Sequence, residues 1–224
     1  MNRTSVATLR IMAAVVLTAG LAMAAACDDD PTSPPPPPPP SGQKFENLTQ
    51  KWHVLNNLER AYNKRSIGKY DELLDDNFTF FLTPGDVGGG LPPQWGRAEE
   101  VQYNTDLLNA NYAGSNRCKA VFMDLLFEPD KIQWTAMTPA SALDETWYFA
   151  TIDYRFRFDF EPDTQYESAT DASAQFTVRN AGTDAAPHWK LVEFRDLGGA
   201  QALRSIVRTA TQTSTWGQVK AIYR

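Results

Sequence analysis

Histidine and cysteine are nearly missing from this 224-residue chain, with two of each. That excludes a disulfide-stapled scaffold and a metal centre rich in His or Cys. A positive excess is missing as well. The formal net charge is −6, which excludes a non-specific nucleic-acid binder, because such proteins neutralise phosphates with Lys and Arg. The uncharged, mostly apolar run Ile11–Ala26 has 16 residues, short of the roughly 20 that a membrane span needs. Residues 1–40 contain no aromatic residue but 8 of the 15 prolines, so all 26 aromatics fall in residues 41–224. About 180 residues are enough to bury a substantial core.

The amino-terminal region reads as an export address. Arg3 and Arg10 supply a positive start, Ile11–Ala26 an apolar run, and Ala24-Ala25-Ala26 the small residues of a cleavage site. Cys27 follows directly, and small residues before a cysteine resemble a bacterial lipobox, in which that cysteine is acylated and becomes the mature N-terminus. Ala24 stands where that pattern usually has Leu, and Ala24-x-Ala26 also satisfies an ordinary secretory site. The residues that follow favour the lipobox. Asp28-Asp29-Asp30 is too polar for a core, and Pro31 with Pro34 through Pro40 forms a stiff polyproline tract. Ten such residues span roughly 30 Å, a spacer that a tethered domain needs and a secreted one does not. The organisation expected is a signal peptide over 1–26, a lipidated Cys27 with an Asp/Pro-rich linker over 27–43, and a folded domain over 44–224. Loss of Arg3 and Arg10 leaves a mature net charge of −8.

Inside the domain the pattern is helices first, strands after. Leu48, Trp52, Leu55, Leu58 and Tyr62 recur at spacings of three and four, one face of a helix that Gly68 is expected to end. Tyr70–Leu74 reads as a short second helix broken by Asp75-Asp76-Asn77, and Phe78–Leu82 as a strand. A loop rich in Gly and Pro covers 83–93. A third helix starts at Gly96 and runs to about Asn109 or Asn111. Strands are expected over 119–127, 131–137, 147–160, 172–179 and 188–196. The clearest is Trp147–Phe160, where Tyr148, Ala150, Ile152, Tyr154, Phe156, Phe158 and Phe160 alternate with polar and charged residues; a period of two means one buried face. Thr215 and Gln218 form a capping box for a last short helix, Trp216–Tyr223. This order is that of an α+β fold.

Several pieces resemble one family. Leu58-Glu59-Arg60-Ala61-Tyr62-Asn63-Lys64-Arg65, then Tyr70-Asp71-Glu72-Leu73-Leu74-Asp75-Asp76-Asn77-Phe78, the Gly96–Glu100 helix start and the terminal Trp189–Asp196 segment resemble the NTF2-like superfamily, which includes SnoaL-like polyketide cyclases and ketosteroid isomerase. The likeness covers most of 45–197. Trp216-Gly217-x-x-Lys220-Ala221-x-Tyr223 is similar to the ending of some bacterial lipoproteins that carry this domain. The resemblance implies a cone: a strongly curved antiparallel sheet packed against N-terminal helices around an apolar pocket. Tyr62, Asp86, Tyr148 and Tyr154 are then the candidates for its polar lining.

The resemblance also says what catalysis would require, and most of it is missing. Isomerases of the family use an Asp base at the end of the first strand with a Tyr and a protonated carboxylic acid as oxyanion donors. The base position here falls near Phe81, which cannot take a proton; Asp86 is the nearest carboxylate. His53 and His188 form no recognisable pair. Gly88-Gly89-Gly90 lacks the Lys-Ser/Thr of a phosphate loop, and Ser141 and Ser168 lack a nucleophile elbow. Cys118 beside Arg117 and Lys119 is either a reactive thiol or a core residue. Asp153, Arg155, Arg157 and Asp159 read as a salt-bridged outer face. The expectation is a membrane-anchored envelope lipoprotein whose domain, without cofactor or metal, binds a small apolar ligand or a protein partner. The alternatives are a cyclase-, isomerase- or dehydratase-type enzyme using Tyr62, Tyr154 and Asp86, and a structural module that forms a homodimer.

Overall fold

The computed structural model describes residues 44–87, 92–114, 116–142, 144–162, 164–199 and 211–223. The signal region, Cys27, the linker and Gly88–Gly90 lie outside the described residues.

The first helix, α1 (Lys51–Asn63), forms where the three-and-four spacing places it, with Val54, Leu55, Leu58, Ala61 and Tyr62 fully buried. Trp52, expected on that face, is half-buried at its margin, with its ring edge-on to His53. Gly68 does not end this helix. The turn comes earlier, at Arg65, which holds a left-handed φ of 53°. That conformation costs a non-glycine residue roughly 1–2 kcal/mol. The guanidinium offsets it by donating to the carbonyls of Leu107 and Leu108 at the end of α3 (Arg97–Leu108), and to Cys118 and Lys119 at the start of β3 (Cys118–Leu126). Gly68 lies instead inside α2 (Ile67–Leu73).

Asp75-Asp76-Asn77 does not break the chain into helix and strand as expected. All three belong to β1 (Leu74–Phe81), whose pairing shifts register between Leu74 and Thr79. Asp75 is tolerated there, 3% exposed, because Arg179 Nε reaches its Oδ2 at 2.7 Å. A short β2 (Gln94–Gly96) pairs with β1. The strand expected over 131–137 shrinks to β4 (Thr135–Met137).

The remaining strands are β5 (Trp147–Phe160), β6 (Thr164–Glu167), β7 (Ser173–Asn180), β8 (Trp189–Gly198) and β9 (Thr211–Thr213). Their order is β2-β1-β8-β7-β5-β6-β9, with β3 and β4 also on β5. The 14-residue β5 thus has four neighbours: β7 and β6 along one edge, β4 and β3 along the other. The sheet is mixed rather than wholly antiparallel, because β1 with β8 and β6 with β9 run parallel. On β5, Ala150, Ile152, Tyr154, Phe156, Phe158 and Phe160 all point into the core, as the alternation requires. Phe80, Phe176 and Phe194, from β1, β7 and β8, meet them at 0% exposure.

The outer edge of β3 is covered by α1. Asn63 accepts from the Met123 N–H at 2.8 Å and donates to the Met123 carbonyl at 2.7 Å, and Glu59 accepts from the Leu125 N–H at 3.1 Å. The last helix, α4 (Trp216–Ala221), carries the expected Thr215/Gln218 capping box. It packs into the concave side of the sheet, where Trp216 is 1% exposed and Lys220 0%. No helix among the described residues is long and apolar enough to cross a membrane.

Candidate functional site

The concave interior carries two polar clusters joined by α4. The first centres on Glu100, in the first turn of α3. The buried positions of this helix are 100, 104, 107 and 108, a regular stripe whose first half is polar: Glu100 and Asn104. Glu100 Oε1 accepts from Lys220 Nζ at 2.5 Å, from Asn104 Nδ2 at 2.8 Å and from the Tyr70 hydroxyl; Oε2 accepts from Trp95 Nε1 at 2.7 Å. Both members of the ion pair have no side-chain exposure. The ammonium also stands 3.9 Å from the Phe80 ring centroid and 5.3 Å from that of Phe194, close enough for cation–π attraction. Burial pulls the Lys220 pKa down to about 8 although Glu100 pulls it up. Tyr62 donates to Asn104 Oδ1. Burial, reinforced by the Glu100 charge, holds the Tyr62 and Tyr70 hydroxyls neutral, far above the usual tyrosine range.

The second cluster holds the other end of α4. Asp196 Oδ1 accepts from the Tyr154 hydroxyl and the Gly198 N–H, both at 2.9 Å; Oδ2 accepts from the N–H groups of Trp216 at 2.9 Å and Gly217 at 3.4 Å. Asp86 Oδ1 accepts from Gln218 Nε2 at 2.8 Å and Oδ2 from the Thr215 hydroxyl. Two carboxylates therefore sit at the N-terminus of this short helix, where unpaired N–H groups favour negative charge. Burial raises the Asp196 pKa, hydrogen bonds from Gly198, Tyr154 and Gly217 oppose that, and the charge of Asp86 adds to the rise. Burial also drives the Tyr154 hydroxyl pKa well up, with Asp196 adding to it.

Between the clusters, Trp216 fills the interior. Its ring lies 4.9 Å from Tyr62, 5.1 Å from Phe194, 5.5 Å from Phe156, 5.7 Å from Tyr154 and 6.2 Å from Phe158, centroid to centroid. Surface clefts lie outside this interior. One of about 640 Å³ lies against the outer face of β1, β7 and β8, among Thr79, Glu193, Arg179 and Glu145. Another, of about 570 Å³, lies at the end of β3, among Leu126, Phe127, Lys131 and Ile132.

Helices α1, α2 and α3, a curled sheet folded around them and an interior filled by α4 complete the architecture. This is the α+β cone that the sequence resemblance implies. Solved structures similar to it include a proposed aromatic ring hydroxylase from Novosphingobium aromaticivorans, at 13% identity over 80% of this chain and 99% of that one, with a TM-score of 0.48. An NTF2-like superfamily protein from Salmonella enterica is 12% identical over 69% and 89% of the two chains, with a TM-score of 0.40. An NTF2-like protein of unknown function in nutrient uptake from Rhodospirillum rubrum is 10% identical over 66% and 98%, with a TM-score of 0.42. No family model and no curated protein matches the sequence. A common fold hosts unrelated functions, so activity rests on the side chains of the site.

In this cone the sequence candidates separate. Tyr62 and Tyr154 both face Trp216 in the interior, and Asp86, 7% exposed, is bound to α4. Tyr148 is half-buried elsewhere, against Trp189 and under the Lys51 ammonium at 4.0 Å. Phe81, at the expected base position, lies beneath the Arg195 guanidinium at 3.8 Å. His53 turns its Nδ1 to the Asn47 carbonyl at 2.5 Å, and His188 is an exposed loop residue. Cys118 is buried, and burial pushes its thiol pKa up to about 12, so it is core rather than nucleophile. Arg157 and Asp159 form the outer-face ion pair, at 3.0 Å. Sequence reasoning missed Glu100, Asn104, Asp196 and Lys220. The signal for the first two was the polar start of a helical stripe; for Lys220 it was its place four residues after Trp216, on the same helix face. Among the described residues no group of three or more His, Cys, Asp or Glu side chains is placed to hold a metal ion.

Proposed function

We propose that this chain is a lipid-tethered module of a bacterial cell envelope, and that its NTF2-like domain meets a protein partner through its outer surface without catalysis in the cone. The address rests on the sequence: a positive start, a short apolar run, Cys27 and a stiff proline spacer. The non-catalytic reading rests on one observation. The interior, where a substrate would sit, is occupied by Trp216 and Lys220, and every candidate polar group there is bonded to the chain itself. By analogy Asp196 and Tyr154 resemble an oxyanion-binding pair, but Asp196 accepts four hydrogen bonds, and Tyr154 spends its proton on Asp196. Apart from the Trp216 indole N–H, no donor of these clusters is left over for a substrate oxygen.

Two measurements test this reading. Cys27→Ser should move the protein from the membrane fraction to the soluble one; unchanged membrane retention overturns the tether. Native mass spectrometry of the purified wild type should find no bound small molecule. A stoichiometric ligand that is retained in the cone and converted to product there overturns the non-catalytic reading.

A further inference from the structure

The box around Lys220 is built almost entirely without Lys220. Glu100, Asn104, Tyr70 and Trp95 come from α3, α2 and β2, and the rings of Phe80 and Phe194 from β1 and β8. Three neutral donors already fix the orientation of the Glu100 carboxylate. What they leave is a charged acceptor walled by aromatic faces, which is complementary to an ammonium ion. The ammonium and the indole beside it both arrive from α4, a helix of 6 residues. Their separation is 5.4 Å from Nζ to the ring centroid, which an aromatic ring carrying an ethylamine chain reproduces. Among the described residues the Trp216 indole N–H makes no well-aligned hydrogen bond and has only the Tyr62 hydroxyl as a weak partner, so the chain's own indole is not fully matched to its place. A buried Lys–Glu pair is also a poor choice for stability against an apolar pair of the same volume.

We infer that the cone interior is a receptor site for an arylethylammonium ion, and that Trp216 and Lys220 occupy it as an internal surrogate. The ligand's ring takes the place of Trp216 among Tyr62, Tyr154, Phe156, Phe158 and Phe194, and its ammonium takes the place of Lys220 on Glu100. No covalent bond changes. The ligand and α4 cannot occupy the interior together, so the ligand competes with a helix of the same chain. The inference goes beyond the tethered-module reading and does not depend on it.

The test uses the full chain with Trp216→Ala and Lys220→Ala together, and phenethylammonium chloride as the probe. The neutral control is 2-phenylethanol, which has the same shape without the charge. The double variant is expected to gain several degrees in melting temperature with low-millimolar amine, and to bind the alcohol about tenfold or more weakly. Adding Glu100→Gln is expected to remove that preference, and wild type is expected to show no shift at the same concentration. Equal responses to amine and alcohol, no response to either, a preference that survives Glu100→Gln, or a wild-type shift equal to the variant's would each overturn the site. A double variant that does not fold alone is expected to fold with the amine and not with the alcohol. Failure to fold in both, or folding in both, overturns it equally.

Discussion

Two lysine–glutamate pairs in this chain share their chemistry and nearly their distance. Lys220 meets Glu100 at 2.5 Å with 0% side-chain exposure on both sides, whereas Lys131 meets Glu128 at 2.7 Å with exposures of 67% and 64%. The outer pair trades hydration for a screened contact worth about 0–1 kcal/mol. The inner pair has given up hydration at a cost of several kcal/mol per ion, and recovers it only through the donors and rings packed around it. Burial therefore separates a pair that decorates a surface from one that defines a site. It also explains why neither distance nor residue type distinguishes them.

The largest effect expected is the one that breaks the inner pair on one side. Glu100→Ala strands the Lys220 ammonium and should lower stability by about 3–5 kcal/mol, measured as a shift in the urea midpoint. The combined Glu100→Gln and Lys220→Met variant should return to within about 1 kcal/mol of wild type, because removing both charges removes the desolvation cost with them. A double variant as unstable as Glu100→Ala would show that the pair itself, and not the stranded charge, carries the energy.

The next effect, about 2 kcal/mol, is the pH dependence of the same lysine. Its pKa in the folded protein is about 8, against 10.5 for the free side chain. Below pH 8 it is charged in both states and the burial cost is present. Between pH 8 and 10.5 the unfolded chain binds more protons, so the Lys220 contribution makes stability rise with pH. Cys118 and the buried tyrosines, held neutral by burial, pull the other way above pH 9 to 10. Urea midpoints of wild type and Lys220→Met should therefore be compared from pH 7 to pH 10. Wild type should gain relative to the variant, and a constant difference would count against the shift.

Asp196→Asn should cost about 1–2 kcal/mol, the usual worth of a charge and cap at a helix N-terminus, and should raise amide exchange at Trp216 and Gly217. The smallest effect belongs to the outer pair: Lys131→Ala should change stability by less than about 0.5 kcal/mol. A larger loss there would erase the contrast between the two regions.

The elements with strong local patterns were legible in the sequence. The alternation of Trp147–Phe160 gave β5 residue for residue, and Thr215 with Gln218 gave the start of α4. The turn at Arg65 was not legible, because its left-handed backbone is compensated by carbonyls 42 to 54 residues away. Asp75 looked like a breaker because its partner, Arg179, lies 104 positions further along. The site was hardest to read. Lys220 and Glu100 are 120 residues apart, and each alone looks like an ordinary polar residue on a helix. β6 and β9 were missed because four and three residues are too few to carry a period.

The cover of β3 by α1 has a consequence for any setting in which copies of this chain are crowded together. A bare strand edge is a template for another strand, and two-dimensional confinement raises the chance of such an encounter. Asn63 answers the Met123 backbone with one acceptor and one donor, as a neighbouring strand would, while Glu59 and Arg65 occupy positions on either side. Three side chains of helix α1 and its turn thus act as a counterfeit strand, closing to other copies the edge along which they would otherwise zip together.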